Sequence, residues 1–559
     1  MPRPPPLRIL LLILHPGFLR FFDTVVPRLL EDGHEVHLAF SFTTKKVGGM
    51  EALPATQERL YVDTKDFPVR SDPWRYFADP LRLVDDYVRY LDAKYAGTSF
   101  LRQRSGDKLP RIAEFLLKMP HLPGPLVLFA RWLLSGFEHL IPSDPTVDAY
   151  LDRVKPDMIL VCPLVEKKSG QTELVKSGRA AGIPVGLCVG SWDHLSTKGA
   201  IHVQPDKVFV WNEIQKREAM EFHGVRPQDT VVTGAHPFDM WFRRTPTLSR
   251  EAFLKKHDLP ADKPFVVFAG SSPQICDAEE ELEFVQAWVQ SLRRNLGPAH
   301  RDIGLLIRPH PLNFKHWVQA AASTPEGVAI YPRHGANPVS DDDRAEYYDA
   351  MFHSAAVVGI NTSAMVEAPI LNRPVMTILA DQFKQRETLH FRYLLPENGG
   401  CLLVANDFED HARQIEALLD APDSRSAAVG RFVDTFLRPR GRRDEALDHL
   451  IAGIEQFAVT HRRRRRGVPI LARPFSWALG KRLDRTMAKQ LVEDAAHEAA
   501  RALKLARHQA KLERKAEQER LGRPDEPALP RKVKGSKLKE RATEMVAHPD
   551  ERAEDRTPA

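Results

Sequence analysis

With 559 residues, 43% of them hydrophobic and 8% aromatic, the chain has the composition of an ordinary globular protein with room for two or three cores. Its formal charge of +6 is a small, uneven excess of 80 basic over 74 acidic residues, which does not by itself call for a nucleic-acid partner. Cys162, Cys188, Cys276 and Cys401 lie far apart, mostly in apolar runs, which excludes a disulfide frame or a zinc site and fits buried thiols in a reducing compartment.

In chain order, Ile9 to Leu14 is a continuous apolar strand, too short for a secretory leader and followed by no small-residue cleavage site. The loop His15-Pro16-Gly17 leads into an amphipathic helix with Phe18, Phe21, Phe22, Val25, Val26, Leu29 and Leu30 on one side, stopped by Gly33. Glu35 to Phe40 is the second strand. This is a mononucleotide-binding unit in outline, but without the glycine fingerprint of a tightly held dinucleotide. From Asp72 to Asp144 the pattern turns helical and rich in aromatics and arginine, an insertion suited to covering an acceptor site or resting on a membrane. Its most apolar stretch, Leu122 to Ile141, is broken by Arg131, Glu138 and His139 and reads as a buried or surface-lying helix.

Alternation resumes with strands at Asp157 to Cys162, Pro184 to Gly190, Lys207 to Trp211 and Thr230 to Gly234, with a polar loop, Ser191 to Gly199, among them. His236-Pro237-Phe238-Asp239 and the polar run to Pro246 read as a link. A second series of strands follows: Lys263 to Gly270, Ile303 to Ile307, Val328 to Tyr331, Ala355 to Ile360, Pro374 to Leu379 and Cys401 to Val404. Repeated strand and helix units of this kind make doubly wound parallel sheets. The expected fold is therefore two tandem Rossmann-like α/β domains facing each other across a cleft. Residues 1–245 form an acceptor domain carrying the 72–144 insertion, and 246–460 a nucleotide-donor domain. Residues 461–559 form a basic tail, starting with Arg462 to Arg466, continuing as a long charged helix from Asp484 to Leu521, and disordered from Gly522.

Ligands of doubly wound sheets bind at the carboxyl ends of the strands. There the second domain offers Arg308 and His310, the hydroxyls and amides of Ser271 and Ser272, and Thr362-Ser363 at the start of a helix from Ala364 to Leu371, a place that favours a phosphate. Glu367, in that helix, is placed to accept two ribose hydroxyls. His310 between phosphates would donate to a leaving oxygen rather than act as a nucleophile. The base that deprotonates the acceptor should come from the first domain, where His15, Asp193 and His194 are the candidates and Trp192 and His194 would meet the acceptor. No metal-ligating cluster is evident; Asp341-Asp342-Asp343 reads as the acidic first turn of a helix. No cofactor is expected, the nucleotide-activated donor being a substrate.

The Arg308-Pro-His-Pro311 and Asn361-Thr-Ser363 loops, in this tandem setting, resemble the His-Pro and Ser/Thr motifs of CDP-glycerol glycerophosphotransferases, bacterial polysialyltransferases and capsule transferases, within the GT-B glycosyltransferase superfamily. Ser191 to Gly199 and Asp206 to Trp211 are similar to segments of the same enzymes. The likeness spans about Leu7 to Phe457 and is sharpest from Phe265 to Leu379. It implies that His310, Thr362 and Ser363 bind nucleotide phosphates. Glu31-Asp32-Gly33 matches a motif that carries the base in polysialyltransferases, but its position at a helix end reads as a plain turn. Asn361 to Pro374 also resembles the phosphate segment of non-hydrolysing UDP-N-acetylglucosamine 2-epimerases, whose usual acidic run is replaced here by Asp381 to Thr388. The resemblance thus implies a metal-independent glycosyl- or polyol-phosphate transferase, with the epimerase and an inert nucleotide- or partner-binding protein as alternatives. The partners expected are a nucleotide-activated donor, a glycan or lipid-linked acceptor and an anionic membrane surface met by the basic C-terminal segment; nucleic acid is not expected. A cytoplasmic location, peripheral to the membrane, follows.

Overall fold

The computed structural model describes residues 5–43, 58–166, 170–320, 324–333, 340–380, 383, 388–461 and 464–488. Arg462 and Arg463, most of the 381–388 segment, and, from residue 489 on, the rest of the helix expected from Asp484 to Leu521 and the tail expected from Gly522 lie outside the described residues.

Among the described residues, thirteen strands form two wholly parallel sheets. The first contains β1 (Arg8–Ile13), β2 (Glu35–Phe40), β3 (Leu60–Val62), β4 (Met158–Cys162), β5 (Val185–Cys188), β6 (Lys207–Val210) and β7 (Thr230–Val232), in the order β3-β2-β1-β4-β5-β6-β7. The second contains β8 (Phe265–Ala269), β9 (Gly304–Arg308), β10 (Val328–Ile330), β11 (Ala356–Gly359), β12 (Val375–Ile378) and β13 (Leu403–Ala405), in the order β10-β9-β8-β11-β12-β13. This is the expected tandem doubly wound, GT-B-like architecture. Runs such as Ile9–Ile13 and Val266–Phe268 are apolar without alternation because helices cover both faces of each sheet, and these residues are at most 1% exposed. Only the edge strand β3 escapes the sequence reading; it has three residues and its central Tyr61 is exposed.

Both sheets reverse their winding once, between β1 and β4 and between β8 and β11. At the second switch the Ser271 hydroxyl, after β8, accepts from the Asn361 amide, after β11, at 3.4 Å. Chain reversal thus opens a crevice beside the loops already singled out.

Two readings are refined. The single helix expected after His15 is instead a 3-10 turn, Pro16–Phe21, followed by a short α-helix, Val25–Glu31. The helix expected from Ala364 to Leu371 is one α-turn, Ala364–Glu367, continued by a 3-10 turn over Ala368–Leu371, since Pro369 has no amide hydrogen to extend the α ladder.

The supposed link at His236–Asp239 is a buried joint. His236 Nε2 meets the Phe21 carbonyl at 2.9 Å. Fully buried Asp239 pairs with Arg438 at 2.8 Å and accepts from the Ala446 and Leu447 amides at 3.3 and 2.7 Å. It thereby caps the helix Ala446–Thr460, whose Leu447, Leu450, Ile451, Ile454 and Phe457 join the core of the first sheet. A helix that follows the second domain in sequence therefore completes the first.

The insertion is helical as expected, with Arg75–Val88, Ser99–Gly106 and Gly124–Glu138 as its α-helices and a 3-10 stretch at Arg111–Lys118. Buried charges hold it down: Arg82 pairs with Glu138 at 2.7 Å and with Glu173 at 2.6 Å, and Lys176 with Glu138 at 2.7 Å. Among the described residues no helix is long and apolar enough to cross a membrane.

Candidate active site in the interdomain cleft

His310 follows β9 by two residues. Its Nδ1 accepts the Leu312 backbone N–H at 3.1 Å, so the neutral ring carries its proton on Nε2. Burial, with help from the positive charge of Arg20, pushes its pKa down to about 4. At neutral pH this ring is therefore an uncharged donor. The first sheet repeats the device: after β1, His15 Nδ1 accepts the Gly17 N–H at 3.1 Å, and burial, then Arg20 and Lys198, lower its pKa. His15, proposed as a base, thus has its acceptor nitrogen engaged by the backbone and offers a donor instead. Gly270 permits the His310 loop to approach β8, because a Cβ there would stand 2.8 Å from the His310 nitrogen and 3.1 Å from the Arg308 oxygen.

Arg308 is only 8% exposed, with its guanidinium 5.0 Å from the Tyr347 ring centre and its Nη1 buried without a partner among the described residues. The Tyr347 hydroxyl donates to Glu367 Oε2 at 2.5 Å. Burial raises the Glu367 carboxyl pKa, an effect that this bond and Arg20 reduce. One oxygen of Glu367 is thereby taken by Tyr347, so the pair of acceptors expected for a ribose is not wholly free. Thr362 is half-buried and Ser363 exposed at the head of the short helix, where Ser363 makes no side-chain capping bond. A single α-turn carries little of the dipole expected there.

Ser271 does not present a free hydroxyl. Fully buried, it donates its amide to Glu281 Oε1 at 2.6 Å and spends its Oγ on the Asn361 amide. Its role is to join the loops after β8 and β11, which Asn361 extends to the next loop by donating to Thr388 Oγ1 at 2.8 Å. Ser272 is half-buried beside it.

On the first-domain side, Asp193 receives the Ser191 hydroxyl at 2.7 Å and the Thr197 hydroxyl at 3.3 Å. Burial opposes its ionisation, but the His194 and His390 rings, then Lys198 and the Ser191 hydrogen bond, outweigh that and hold it below the usual carboxylate range. A carboxylate so held is a poor proton acceptor and a good anchor. His194 is 3% exposed, stacks on Phe18 at 5.7 Å and is driven by burial to a pKa of about 4. Its Nδ1 is buried and makes no hydrogen bond among the described residues, so unlike His15 it has no ring nitrogen engaged there by the backbone. Trp192, expected to meet an acceptor, is 5% exposed and lies edge-on to His390 at 4.4 Å, in a core cluster shared with Phe238, Phe391 and Leu394. Its indole seals the seam between the domains, where burial gains more than an exposed platform would.

Two residues were not anticipated. Arg20, on the turn after His15, stands over Phe21 at 4.7 Å and has no carboxylate ion-pair partner among the described residues. Its charge is felt by His15, His194 and His310, and Glu367 and Asp193 act on it in turn, so it lies between the two domains' loops. Tyr347 is the other, on the helix Asp341–His353, which is tied across the cleft by Arg344 to Asp23 at 3.2 Å. Arginine beside aromatic residues was the only signal for Arg20, and that also reads as plain amphipathic packing.

No protein-family model matches the chain. Lipid-A-disaccharide synthase of Solibacter usitatus (strain Ellin6076) is 30% identical over 133 residues, which are 24% of this chain and 30% of that protein, so the chain matches less than a third of this curated relative. Among solved structures the chain is similar to the UDP-GlcNAc 2-epimerase of Methanocaldococcus jannaschii in complex with UDP-GlcNAc and UDP, at 13% identity over 80% of this chain and 99% of that one, with a TM-score of 0.45. It is also similar to a glycosyltransferase from Rickettsia africae ESF-5, at 10% identity over 81% and 99%, with a TM-score of 0.44. The fold assignment itself rests on the strand orders of two parallel doubly wound sheets joined through a buried seam.

Proposed function

We propose that the protein is a sugar- or polyol-phosphate transferase of the CDP-glycerol glycerophosphotransferase and capsule-transferase kind. It takes a nucleotide-activated donor and acts in surface polysaccharide or glycolipid synthesis at the cytoplasmic face of a membrane. The observation that carries this reading is the grouping of neutral histidine donors and arginines at one cleft: the charge of Arg20 reaches His15 and His310, and Arg20 is linked through Glu367 and Tyr347 to Arg308. As the bond to the leaving phosphate oxygen lengthens, negative charge grows there. The fixed Nε2–H of His310 and the cation of Arg20 are matched to it without reorganisation, and side-chain donors rather than a metal hold the leaving group. Of the first-domain candidates we assign the acceptor's proton to His194, whose pKa of about 4 requires that a bound acceptor or Asp193 stabilise the protonated ring.

Donor binding is read by thermal shift against CMP, CDP, UDP and GDP and their sugar or glycerol conjugates, with a chelator present. A nucleotide at a hundred times its dissociation constant should stabilise the fold by about 2.7 kcal/mol. We expect one base to do so, and Arg20→Ala to weaken it by about 10- to 100-fold, as loss of a charged hydrogen bond implies. Conversion of UDP-N-acetylglucosamine without any acceptor would replace this reading by the epimerase; nucleotide binding without turnover on any acceptor would leave an inert binding protein.

A further inference from the structure

The helix Gly124–Glu138 is amphipathic in the wrong sense for water. Its two charged residues point inward: Arg131 pairs with Asp85 at 2.9 Å, and Glu138, 4% exposed, with Arg82 and Lys176. Its outer face shows Leu126, Leu128, Phe129, Trp132, Leu133 and Phe137, with Trp132 67% exposed. The stretch Arg111–Lys118 shares the inner cluster of Ala113, Leu116 and Val127, and turns Ile112, Phe115 and Leu117 outward in the same way. Nine large apolar side chains turned outward on two elements that share one inner cluster are not a normal solvent face.

The basic segment that follows the second domain is fastened beside it. The Ser476 hydroxyl donates to the Leu140 carbonyl at 2.7 Å, just past the end of the helix, and Leu479 and Leu483 pack against Trp74, Ala78 and Ile141. This leaves Ile470, Leu471, Phe475 and Trp477 outward. Within residues 468–485 the cations Arg473, Lys481, Arg482 and Arg485 face a single carboxylate, Asp484. All five are exposed. Exposed aromatics edged by cations match one occupant: the interfacial layer of an anionic bilayer, where aromatic side chains settle among the headgroups and cations meet the negative surface.

We propose that the outer face of the insertion, continued by residues 468–485, docks the protein flat on an anionic lipid surface without spanning it. The insertion is the main contact, and the basic segment expected from sequence to touch the membrane supplies its charged rim. The same insertion reaches the cleft, since Arg104 donates to the Thr197 carbonyl and, at 3.2 Å, to Gln274 of the second domain. A docked insertion therefore sets the cleft mouth beside the lipid headgroups. The proposal deepens the membrane element of the function given above, but its readout is binding, so either can fail without the other.

The test is flotation of the full chain with phosphatidylcholine vesicles, with and without phosphatidylglycerol. Wild type is expected to float with the anionic vesicles, with the emission of its exposed tryptophans shifted to the blue. The pair Phe129→Ser and Trp132→Ser should weaken this by at least about tenfold from lost apolar burial. The pair Arg473→Gln and Lys481→Gln should cost roughly 30-fold on anionic vesicles only. Each variant is checked by its melting curve, because these side chains are exposed and their loss should leave the fold intact. Wild type left at the bottom of the gradient, or a Phe129/Trp132 variant that floats as wild type does, would overturn the proposal. So would a concentration-dependent dimer abolished by the same pair, which would give the face to a second copy of this chain.

Discussion

At the scale of single residues, the chemistry depends on where a proton sits. The Leu312 N–H fixes it on Nε2 of His310, and burial keeps the ring neutral down to a pH of about 4. His310→Ala should therefore lower turnover by roughly 10² to 10³, the usual cost of losing one preorganised donor. His310→Gln, whose amide can donate from a similar reach, should recover part of it. Steady-state rates across pH provide the check. Because the donor is the neutral form and the folded pKa is depressed, His310 contributes no loss of rate between pH 8 and pH 5; an acid limb near pH 6 that vanishes in His310→Gln would contradict this assignment. Arg308 and Glu367 were legible in sequence as polar residues at the right edge of a sheet, but their engagement with Tyr347 was not. The helix bearing Tyr347 lies between them in sequence, and only the fold turns one of its faces toward both.

At the scale of elements, the first domain is finished from afar. The helix Ala446–Thr460 sits on the first sheet because Asp239 caps its amides and neutralises Arg438 in a place that water does not reach. Asp239→Ala removes the cap and strands a buried guanidinium, which should cost about 3–5 kcal/mol. Urea unfolding of the variant should show a lower midpoint with an unchanged slope. An unchanged midpoint would mean that the helix is held by its apolar face alone. The strand runs were readable because sheets buried on both faces demand unbroken apolar stretches. The partner of this last helix was less so, since an amphipathic pattern names a buried face without naming what buries it.

At the scale of the whole molecule, stability is tied to neutral histidine. Burial lowers the pKa of His194, His236 and His390 to about 4, and of His223 and His411 to about 3, from an ordinary value of 6.5. A depressed folded pKa means that the unfolded chain binds protons first as the solution is acidified. Stability from these rings is full above about pH 6.5 and is lost as pH falls toward 4, by as much as about 2 kcal/mol for each ring at pH 5. Glu281 and Glu218 act in the opposite sense: burial raises them from 4.5 to about 7 and about 8, so their contribution is full below about pH 4.5 and fades as pH rises from there through those values. Because five rings lose stability where two carboxyls regain it, melting temperature should still be highest near neutrality and fall as pH drops toward 5. A flat profile from pH 7 to 5 would show that these rings are not buried as neutral groups.

What the amino-acid sequence determined by itself is the architecture and the loops that carry chemistry. The period of apolar runs, the breaks between them and the polar residues that end each strand are local properties. They specify parallel sheets and place His15, Asp193, Arg308, His310 and Thr362 at strand ends. What only the tertiary structure decided is which of these groups remain open to a ligand. Ser271 is consumed in joining two loops, Trp192 in sealing a seam and one oxygen of Glu367 by a tyrosine, while Arg20 is left in the cleft beside its neighbours' charges. Hydrogen-bond partners and the desolvation that shifts a pKa come from groups tens or hundreds of residues away, and no local pattern encodes them.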